Sequence, residues 1–384
     1  MKVLHVFTLV STAKAFFNGQ FKYLSDIGHD IHIAASPGDI SEFCKQNNVK
    51  FHPVEIARRI DFSADLNSIK ELSDLLSREK YDMIVGHTPK GALISMLAGK
   101  KCNVPIRVYY RHGLIYTTAR GLKRQIFKAV ERLTSSLATH IINVSQSLSD
   151  LAIQDHLNNE KKQQIIGSGT CGGIDTHNLF NPVLVDKKEL ELIKSKYQLN
   201  NTGFIIGFCG RLCRDKGIEE LVEGFKLFHK RNSAISTKLL LIGGYDQRDI
   251  LKSSVKEEIE TNSHIINTGR IPHSDLPLYY SLMDVFVFPS YREGFGMSVI
   301  EASSMEVPIL VSRSHGCINS ILEGVTGKYI NISAKDICDG LEDMFANPNR
   351  KKYGEAGREW VTENFDYSVM WPLIAQIYDE IAKK

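Results

Sequence analysis

Short apolar runs alternate with longer amphipathic stretches along the whole chain. In the first half, the apolar runs predict strands at residues 3–9, 32–35, 83–86, 106–110 and 140–144. The pattern restarts in the second half, with predicted strands at 204–208, 238–242, 265–268, 285–288 and 308–311. Buried strands separated by helix-length segments are typical of parallel sheets built from βαβ units. The sequence therefore predicts an α/β protein with two Rossmann-like, doubly wound halves.

The chain has 384 residues, which is more than one ordinary hydrophobic core accommodates. Regular patterning lapses near residue 182, so we expect an N-terminal domain over 1–182 and a second domain from 183 onwards. Ligands of doubly wound sheets bind outside the carboxyl ends of the strands. We therefore expect the two domains to face each other across a cleft that holds the ligand.

Composition excludes several classes of protein. The fractions of hydrophobic (43%) and charged (24%) residues are those of a globular protein, and a net charge of +3 does not indicate nucleic-acid binding. Seven scattered cysteines argue against a disulfide framework and fit a reducing cytosol. Cys209 and Cys213 lack a second ligand pair at zinc spacing, so no metal is expected. The N-terminus lacks a signal-peptide core, and no apolar run reaches the roughly 18 residues that span a membrane.

The chemistry is most visible in residues 290–301. Glu293 and Glu301 flank a Gly-Phe-Gly turn, and the segment from Met297 onwards predicts a helix. A strand, a glycine turn and a helix N-terminus together form an anion site. Carboxylates on both sides favour a ligand with phosphate in the middle and hydroxyls at each end, which is the layout of a nucleotide-sugar.

A second motif follows the first predicted strand of the second half. It contains Gly210, Arg211, Lys216 and Gly217. Arginine offers a planar fork to phosphate oxygens, lysine adds a point charge, and glycine lets the backbone approach a ligand. Alone, this segment fits a basic surface loop equally well, but its place on the same sheet as 290–301 favours a diphosphate site. The chain contains no Asp-x-Asp, so these cations could neutralise a departing diphosphate without a metal.

These motifs resemble those of the GT-B glycosyltransferases of family 4, which retain the anomeric configuration. The family's Gly-Arg-Leu-x-x-x-Lys-Gly is present at 210–217 and its Glu-x7-Glu at 293–301. The resemblance covers essentially the whole chain. It implies a hexosyltransferase that needs no metal or other cofactor and takes a nucleotide-sugar donor, most simply a UDP-sugar. It also implies that residues 365–384 cross back onto the N-terminal domain, which leaves 183–364 as the donor-binding domain.

The resemblance also implies roles for single residues. Arg211 and Lys216 would grip the donor diphosphate, Glu301 would hold the ribose hydroxyls, and Glu293 would act as an electrostatic neighbour of the reacting sugar. The remaining donor-binding residues implied for the second domain are Gly210, Ile271, Gly294, Phe295, Gly296 and Met297. Ile271 would lie in the loop that contacts the base through its backbone.

The first domain carries weaker signals. By resemblance, His112 would lie near the donor sugar and the reacting centre, although a histidine after a strand is often structural. Ser145 would face the cleft and could also be a helix N-cap. Gly19 maps onto only one of two adjacent glycines that relatives often have near the donor. Residues 87–91 suit either an acceptor contact or a plain turn.

The implied acceptor is a saccharide or a polyprenyl-diphosphate-linked saccharide for capsule, O-antigen or exopolysaccharide synthesis. Two other classes stay open: a non-hydrolysing UDP-sugar epimerase, and a non-catalytic partner subunit of another transferase. A G-x-G-x-x-G at 167–172 is not followed by a helical pattern, so we reject a nicotinamide cofactor.

Basic residues concentrate in 107–132, where Ile126, Phe127 and Val130 interleave with them. Such a segment suits contact with anionic lipid, but an ordinary solvated helix face explains it equally well. The expected location is therefore cytoplasmic, either free or peripheral on the inner face of the plasma membrane.

Overall fold

A computed structural model describes residues 1–58 and 61–383. Lys384, the last residue of the predicted segment 365–384, therefore lies outside the described residues. The chain divides into two compact units, Met1–Gly173 with Tyr367–Lys384, and Ile174–Asp366.

Within the described residues, the first unit contains one sheet of seven strands. They are β1 (Lys2–Leu9), β2 (Asp30–Ser36), β3 (Lys50–Pro53), β4 (Met83–His87), β5 (Ile106–Arg111), β6 (His140–Asn143) and β7 (Gln163–Ile165). Its α-helices are α1 (Val10–Phe16), α2 (Gln20–Asp26), α3 (Ser41–Asn47), α4 (Phe62–Glu79), α5 (Pro89–Lys101), α6 (Gly121–Leu137), α7 (Gln146–Gln154) and, at the end of the chain, α15 (Tyr367–Ala382). All strand pairs are parallel, in the order β3-β2-β1-β4-β5-β6-β7.

The second unit repeats the architecture with six strands in its described part. They are β8 (Phe204–Cys209), β9 (Thr237–Ile242), β10 (Ile265–Asn267), β11 (Val285–Phe288), β12 (Ile309–Ser312) and β13 (Gly327–Ile330). Its α-helices are α8 (Lys187–Lys196), α9 (Ile218–Arg231), α10 (Ser253–Thr261), α11 (Leu276–Tyr280), α12 (Met297–Ser304), α13 (Ala334–Ala346) and α14 (Arg350–Phe365). The strands are parallel in the order β10-β9-β8-β11-β12-β13.

The residue types explain why these elements form. Parallel strands covered by helices on both faces are apolar along their whole length, and all four residues of β11 are buried. The helices carry charges that match their dipoles: α9 begins with Glu219 and Glu220 and ends with Lys230 and Arg231. The residue types in these strands and helices therefore favour the secondary structure that the fold gives them.

All ten predicted strands are present, each within two residues of its predicted ends. Three short strands were not predicted, namely β3, β7 and β13. Each lies at an edge of its sheet, where one side of the strand pairs with no other strand of the described chain. Edge strands bury less and tolerate polar residues, so they lack the apolar run that marks the others.

The predicted domain boundaries at 182 and 364 need correction, because the units divide after Gly173 and after Asp366. Residues after Gly173 are irregular but belong to the second unit. The Ile174 amide donates to the Phe365 carbonyl at 2.9 Å, and the Thr176 hydroxyl donates to the Asp366 carboxylate at 2.6 Å. A lapse in periodicity therefore marked an irregular segment of the second unit, not the boundary itself.

Candidate functional site

The centre of the second sheet is a topological switch point. The chain moves outward from β8 to β10, then returns to the centre and continues from β11 to β13. Because β8 and β11 are neighbours, the segments that follow them start side by side. We call these the β8 loop (residues 210–217) and the β11 loop (residues 290–296). Ligands of such sheets bind at this position.

The two loops are joined by hydrogen bonds. The main-chain oxygen of Asp215 accepts from the Tyr291 amide at 2.9 Å and from the Ser290 hydroxyl at 3.2 Å. The Asp215 carboxylate forms an ion pair with the Arg292 guanidinium at 2.6 Å. One loop therefore holds the other, so that the two motifs seen in the sequence form a single structural site.

One charge pair lies at the centre of this site. The Lys216 ammonium forms an ion pair with the Glu293 carboxylate, and each side chain is only 14% exposed. The same ammonium lies 5.1 Å from the centroid of the Phe288 ring. Partial burial strengthens the attraction between charges relative to a pair in water. Lys216 and Glu293, which are 77 residues apart in the chain, are thus direct partners.

Arg211 lies at the open side of the β8 loop. Its guanidinium pairs with Asp246, which follows β9, and its side chain is 51% exposed. Burial opposes ionisation of Asp246, but the Arg248 amide and the Arg211 guanidinium outweigh it and hold the pKa of Asp246 to about 2. Asp246 is therefore ionised and holds the half-exposed Arg211 guanidinium beside the loop.

Glu301 is buried on α12 and has two partners that the sequence did not reveal. The Tyr280 hydroxyl donates to Glu301 Oε2 at 2.8 Å, and His273 Nε2 lies 3.3 Å from Oε1. The bond to Glu301 raises the pKa of His273 above its usual value. Burial raises the pKa of the neighbouring Cys209 thiol to about 12, so that thiol stays neutral. The carboxylate is thus held in place within a largely buried polar group.

The N-terminus of α12 follows the β11 loop directly, and Gly296 is its N-cap without a side-chain cap. The Met297 amide donates to the Phe295 carbonyl at 2.8 Å, so an anion at Met297 would have to replace that bond. In the described part of the chain, the amides of Phe295 and Gly296 donate to no acceptor. These two N–H groups and the helix dipole are suited to hold an anion.

The other predicted donor-binding residues of the second unit occupy loops at the same edge of the sheet. Gly210 follows β8, and its amide donates to the Ile242 carbonyl at 2.9 Å. Gly294 adjoins Glu293 and is partly exposed. Ile271 lies in the loop after β10, two residues before His273, and is also partly exposed.

Gly217 ends the β8 loop in a sterically restricted position. It has a φ of +68° and is the N-cap of α9. A Cβ atom at this position would lie 2.1 Å from the Pro289 carbonyl oxygen, which is far inside van der Waals contact. Only glycine allows both the left-handed turn and the close approach of the two loops.

His112, Ser145 and Gly19 belong to the first unit, where they follow β5, β6 and α1. His112 Nε2 lies 2.9 Å from His87 Nδ1, and burial lowers the pKa of His112 to about 4. Ser145 is the N-cap residue of α7, as the sequence predicted, although its side chain makes no cap hydrogen bond. The Gly19 amide donates to Asn47 Oδ1 at 2.7 Å, so this N–H is already bound within the protein.

The segment 87–91 starts a helix. Thr88 is the N-cap of α5, and its side chain accepts from the Gly91 amide. The Thr88 hydroxyl also lies 2.7 Å from that of Thr8. Within the first unit this segment has the structure of a helix start.

The basic segment 107–132 is divided by burial, which corrects the predicted surface. Arg111 is fully buried, where its guanidinium donates to Asn143, Ser135 and Asn158. Arg107 donates to main-chain carbonyls. The cations that remain exposed are Arg120, Lys123, Arg124 and Arg132.

Two further predictions concern cofactors. Residues 167–172 follow β7, and the residues directly after them do not form a helix. A dinucleotide-binding G-x-G-x-x-G would lead into a helix. Among the described residues, one group of metal-ligating side chains lies close together, namely Cys338, Asp339 and Glu342 on α13. Arg231 pairs with both acids, so the group is an ordinary surface charge network.

No helix among the described residues is both long enough and apolar enough to cross a bilayer.

Two family models match the chain. Residues 190–360 match the model described as "Glycosyl transferases group 1", and residues 5–147 match "Glycosyl transferase 4-like". Together they cover the β8 loop, the β11 loop and the carboxyl ends of β1 to β6.

Proteins of similar sequence are also glycosyltransferases. The capsular polysaccharide biosynthesis glycosyltransferase CapM of Staphylococcus aureus is 31% identical over 388 residues, which span 100% of this chain and 99% of that protein. The Escherichia coli UDP-Gal:alpha-D-GlcNAc-diphosphoundecaprenol alpha-1,3-galactosyltransferase is 24% identical over 82% of this chain and 80% of its own length.

Among solved structures, Anabaena Alr3699/HepE in complex with UDP and glucose superposes with a TM-score of 0.81. The two chains are 15% identical, and the match covers 99% of this chain and 100% of the other. This likeness concerns the fold, and it confirms the predicted GT-B class of two Rossmann-like domains.

Proposed function

Because the chain belongs to the group 1 glycosyltransferases, we propose that it transfers a sugar from a UDP-sugar to a lipid-linked saccharide during polysaccharide assembly. We further propose that transfer retains the anomeric configuration and needs no metal. The observation that carries the proposal is the direct pairing of Lys216 with Glu293 between the two loops of the switch point.

This pair suits a diphosphate that leaves during the reaction. A bound diphosphate offers Lys216 a partner with more charge than a single carboxylate, so the ammonium would exchange Glu293 for phosphate oxygens. Arg211, which is half exposed, can turn its planar fork to the same group. The free amides at the start of α12 add donors without any side-chain movement. Together these groups stabilise the negative charge that grows as the sugar departs.

Glu301 has the properties of a ribose-binding carboxylate. Its Tyr280 and His273 bonds fix the side chain in one position, and a carboxylate accepts hydrogen bonds from two adjacent hydroxyls. It lies one helical turn beyond Met297, on the same helix whose N-terminus would bind phosphate. This order of groups matches the order of ribose and phosphate in a nucleoside diphosphate.

The activities for which similar proteins are named support the substrate proposal. The E. coli relative is named for UDP-Gal and for a diphosphoundecaprenol-linked acceptor, and the S. aureus relative for capsular polysaccharide biosynthesis. The Anabaena structure contains UDP and glucose. We therefore assign a UDP-sugar as the donor and a polyprenyl-diphosphate-linked saccharide as the acceptor.

In the proposed reaction, the bond between the anomeric carbon and the diphosphate oxygen breaks while the acceptor oxygen bonds to the same face of the sugar. The departing diphosphate oxygen takes the proton of the acceptor hydroxyl. Glu293, released from Lys216, stabilises the positive charge that develops on the sugar. His112 lies beside the donor sugar in this scheme.

Turnover of a UDP-sugar with a polyprenyl-diphosphate-linked saccharide tests the proposal. Lys216→Ala and Glu293→Gln should each lower kcat by about 100-fold or more, because each removes charge that acts in the transition state. Arg214→Ala is the matched control, since Arg214 belongs to the same loop but pairs with Asp249 at 3.2 Å and is largely exposed.

Near-normal turnover in both site variants would refute the assignment. Proton NMR of the product should show the anomeric configuration of the donor, and inversion would refute retention. Conversion of the donor sugar in the absence of any acceptor would favour an epimerase instead.

We also propose that α6 is the surface that contacts anionic lipid. Leu122, Ile126 and Leu133 are 77%, 47% and 46% exposed, and their spacing places them on one face of the helix. Lys123 lies beside this stripe, and the next residue, Arg124, is exposed as well. Apolar side chains next to cations are typical of helices that lie on an anionic membrane surface.

Sedimentation with vesicles tests this surface. Binding should rise with the fraction of phosphatidylglycerol and fall about tenfold or more in Lys123→Ser/Arg124→Ser, since each cation near the surface is worth about 1 kcal/mol. Lys187→Ser/Lys188→Ser removes the same charge from exposed positions on α8 and should bind as the wild type does. Equal loss in both double variants, or none in either, would contradict the assignment.

A further inference from the structure

Three histidines form a diagonal row on one face of the first sheet. His5 lies in β1 opposite Val85, and His87 stands two residues beyond Val85 at the end of β4. His87 in turn lies opposite Tyr110, and His112 stands two residues beyond Tyr110. Because side chains alternate between faces with a period of two, each histidine is one step closer to the carboxyl edge than the one before.

The three rings are joined by hydrogen bonds. His5 Nδ1 lies 2.9 Å from His87 Nε2, and His87 Nδ1 lies 2.9 Å from His112 Nε2. His5 and His87 are fully buried, and the His87 ring stacks on that of Phe7 with centroids 4.3 Å apart. Burial lowers the pKa of each histidine, so all three are neutral near pH 7.

Neutral rings joined in this way cannot choose their tautomers independently. A neutral imidazole carries its proton on one nitrogen and accepts with the other. Each bond joins Nδ1 of one ring to Nε2 of the next, so one nitrogen must donate and the other accept. If His5 carries its proton on Nδ1, then His87 and His112 must do so too. The alternative places all three protons on Nε2.

The deep end of the row distinguishes the two states. His5 Nε2 is buried and has no hydrogen-bond partner among the described residues. In the Nε2-protonated state, this nitrogen would be a buried N–H without an acceptor. In the Nδ1-protonated state, it is a bare acceptor. Orphaned buried N–H groups are the rarer of the two in folded proteins.

We propose that His5 and His87 are positioning residues that hold His112 in the Nδ1-protonated tautomer, so that His112 presents an N–H donor to an oxygen of the donor sugar or its phosphate. The placement of His112 beside the donor rests on the proposed function. The tautomer itself rests only on contacts within the first unit. A fixed donor aimed at an oxygen that gains negative charge assists the transition state without reorganisation.

Nitrogen-15 NMR of histidine-labelled protein tests the tautomer directly. In the wild type, the two-bond nitrogen–proton couplings of His112 should show a protonated Nδ1 and an unprotonated Nε2. His87→Phe removes the link and should release His112 to a mixture of tautomers. His87→Gln should retain the wild-type state, because a carboxamide can accept from His5 and donate to His112.

His52→Phe is the matched control. His52 Nε2 lies 2.9 Å from His32 Nδ1 on the same sheet, so this variant also breaks a histidine pair but lies outside the row. It should leave the His112 spectrum unchanged. An Nε2-protonated His112 in the wild type, or an unchanged His112 spectrum in His87→Phe, would overturn the proposal. If His87→Phe does not fold, loss of the tautomer in His87→Gln overturns it equally.

Kinetics complete the test. His87→Phe should lower kcat about tenfold, the effect of one hydrogen bond, with a smaller change in the KM for the donor, and His87→Gln should recover most of it. A shifted tautomer with unchanged kcat would overturn the catalytic part of the proposal. Absence of sugar transfer by the wild type would instead refute the proposed function, and the NMR result would still decide the tautomer.

Discussion

At the scale of single residues, the pairing of Lys216 with Glu293 is the main result. The ion pair keeps two charges compensated in a partly buried position that would otherwise be costly. The same pair explains how diphosphate binding and sugar stabilisation can be linked. A diphosphate that binds Lys216 would release Glu293 to face the sugar, so donor binding would itself prepare the second group.

Other partners of the site could not be predicted from the sequence. Tyr280 and His273 are 21 and 28 positions away from Glu301 in the chain, and no spacing rule links them to it. Arg111 was grouped with the exposed cations of the sequence, and this was wrong. It belongs to a run of basic residues, but its strand position buries it completely. A charge pattern shows which residues are cationic, whereas exposure depends on which face each residue occupies.

Tyr280→Phe should weaken donor binding and lower stability. The variant removes a 2.8 Å hydrogen bond to a buried carboxylate, which is worth about 1.5–3 kcal/mol. We expect the KM for the donor to rise about fivefold or more, because the released Glu301 no longer holds one position.

Tyr279→Phe is the control for that experiment. Tyr279 is the buried neighbour on the same helix, and its ring contacts that of Tyr197 with centroids 6.3 Å apart, whereas the bond to Glu301 comes from Tyr280. Urea unfolding should show a loss of stability in both variants, but only Tyr280→Phe should change the KM. Equal changes in KM would show that Glu301 does not depend on Tyr280.

At the scale of elements, the sequence predicted the central strands well and the edge strands poorly. Central parallel strands are buried on both faces and must be apolar, so β1, β4, β8 and β11 stand out as continuous runs. The edge strand β7 has the sequence Gln-Gln-Ile, which carries no such signal. Its pairing with β6 is set by the three-dimensional arrangement, not by local preference.

Gly217→Ala should destabilise the junction between the β8 loop and α9. The added Cβ would collide with the Pro289 carbonyl and adopt an unfavourable left-handed conformation. We expect the free energy of unfolding to fall by about 3 kcal/mol or more, as for strained sites in a tightly packed backbone. Urea unfolding with circular dichroism measures this difference.

Gly324→Ala is the control that separates backbone strain from a steric clash of the added Cβ. Gly324 has a φ of +77°, but a Cβ there would meet nothing within 4 Å. Its cost should be about 1–2 kcal/mol, the cost of the left-handed conformation alone. If Gly217→Ala were no more destabilising than Gly324→Ala, the close approach of the two loops would not explain the glycine.

At the scale of the whole molecule, the fold class was predictable because two rounds of strand–helix alternation leave few other architectures. The domain boundary was not, since residues from Ile174 to Phe180 lack periodicity and are assigned only by their bonds to the second unit. The Ser304 hydroxyl, for example, donates to the Phe180 carbonyl at 2.7 Å. The predicted site residues also divide between the units: Arg211, Lys216 and Glu293 belong to the second, and His112 belongs to the first.

Calorimetric titration of UDP in the presence of EDTA tests the central claim, that the second unit binds a diphosphate through Lys216 without a metal. The wild type and Arg214→Ala should bind with the same affinity whether or not EDTA is present. Lys216→Ala should bind at least about tenfold more weakly, which corresponds to the loss of about 1.4 kcal/mol. Loss of wild-type binding in EDTA, or equal affinity in Lys216→Ala, would contradict the account.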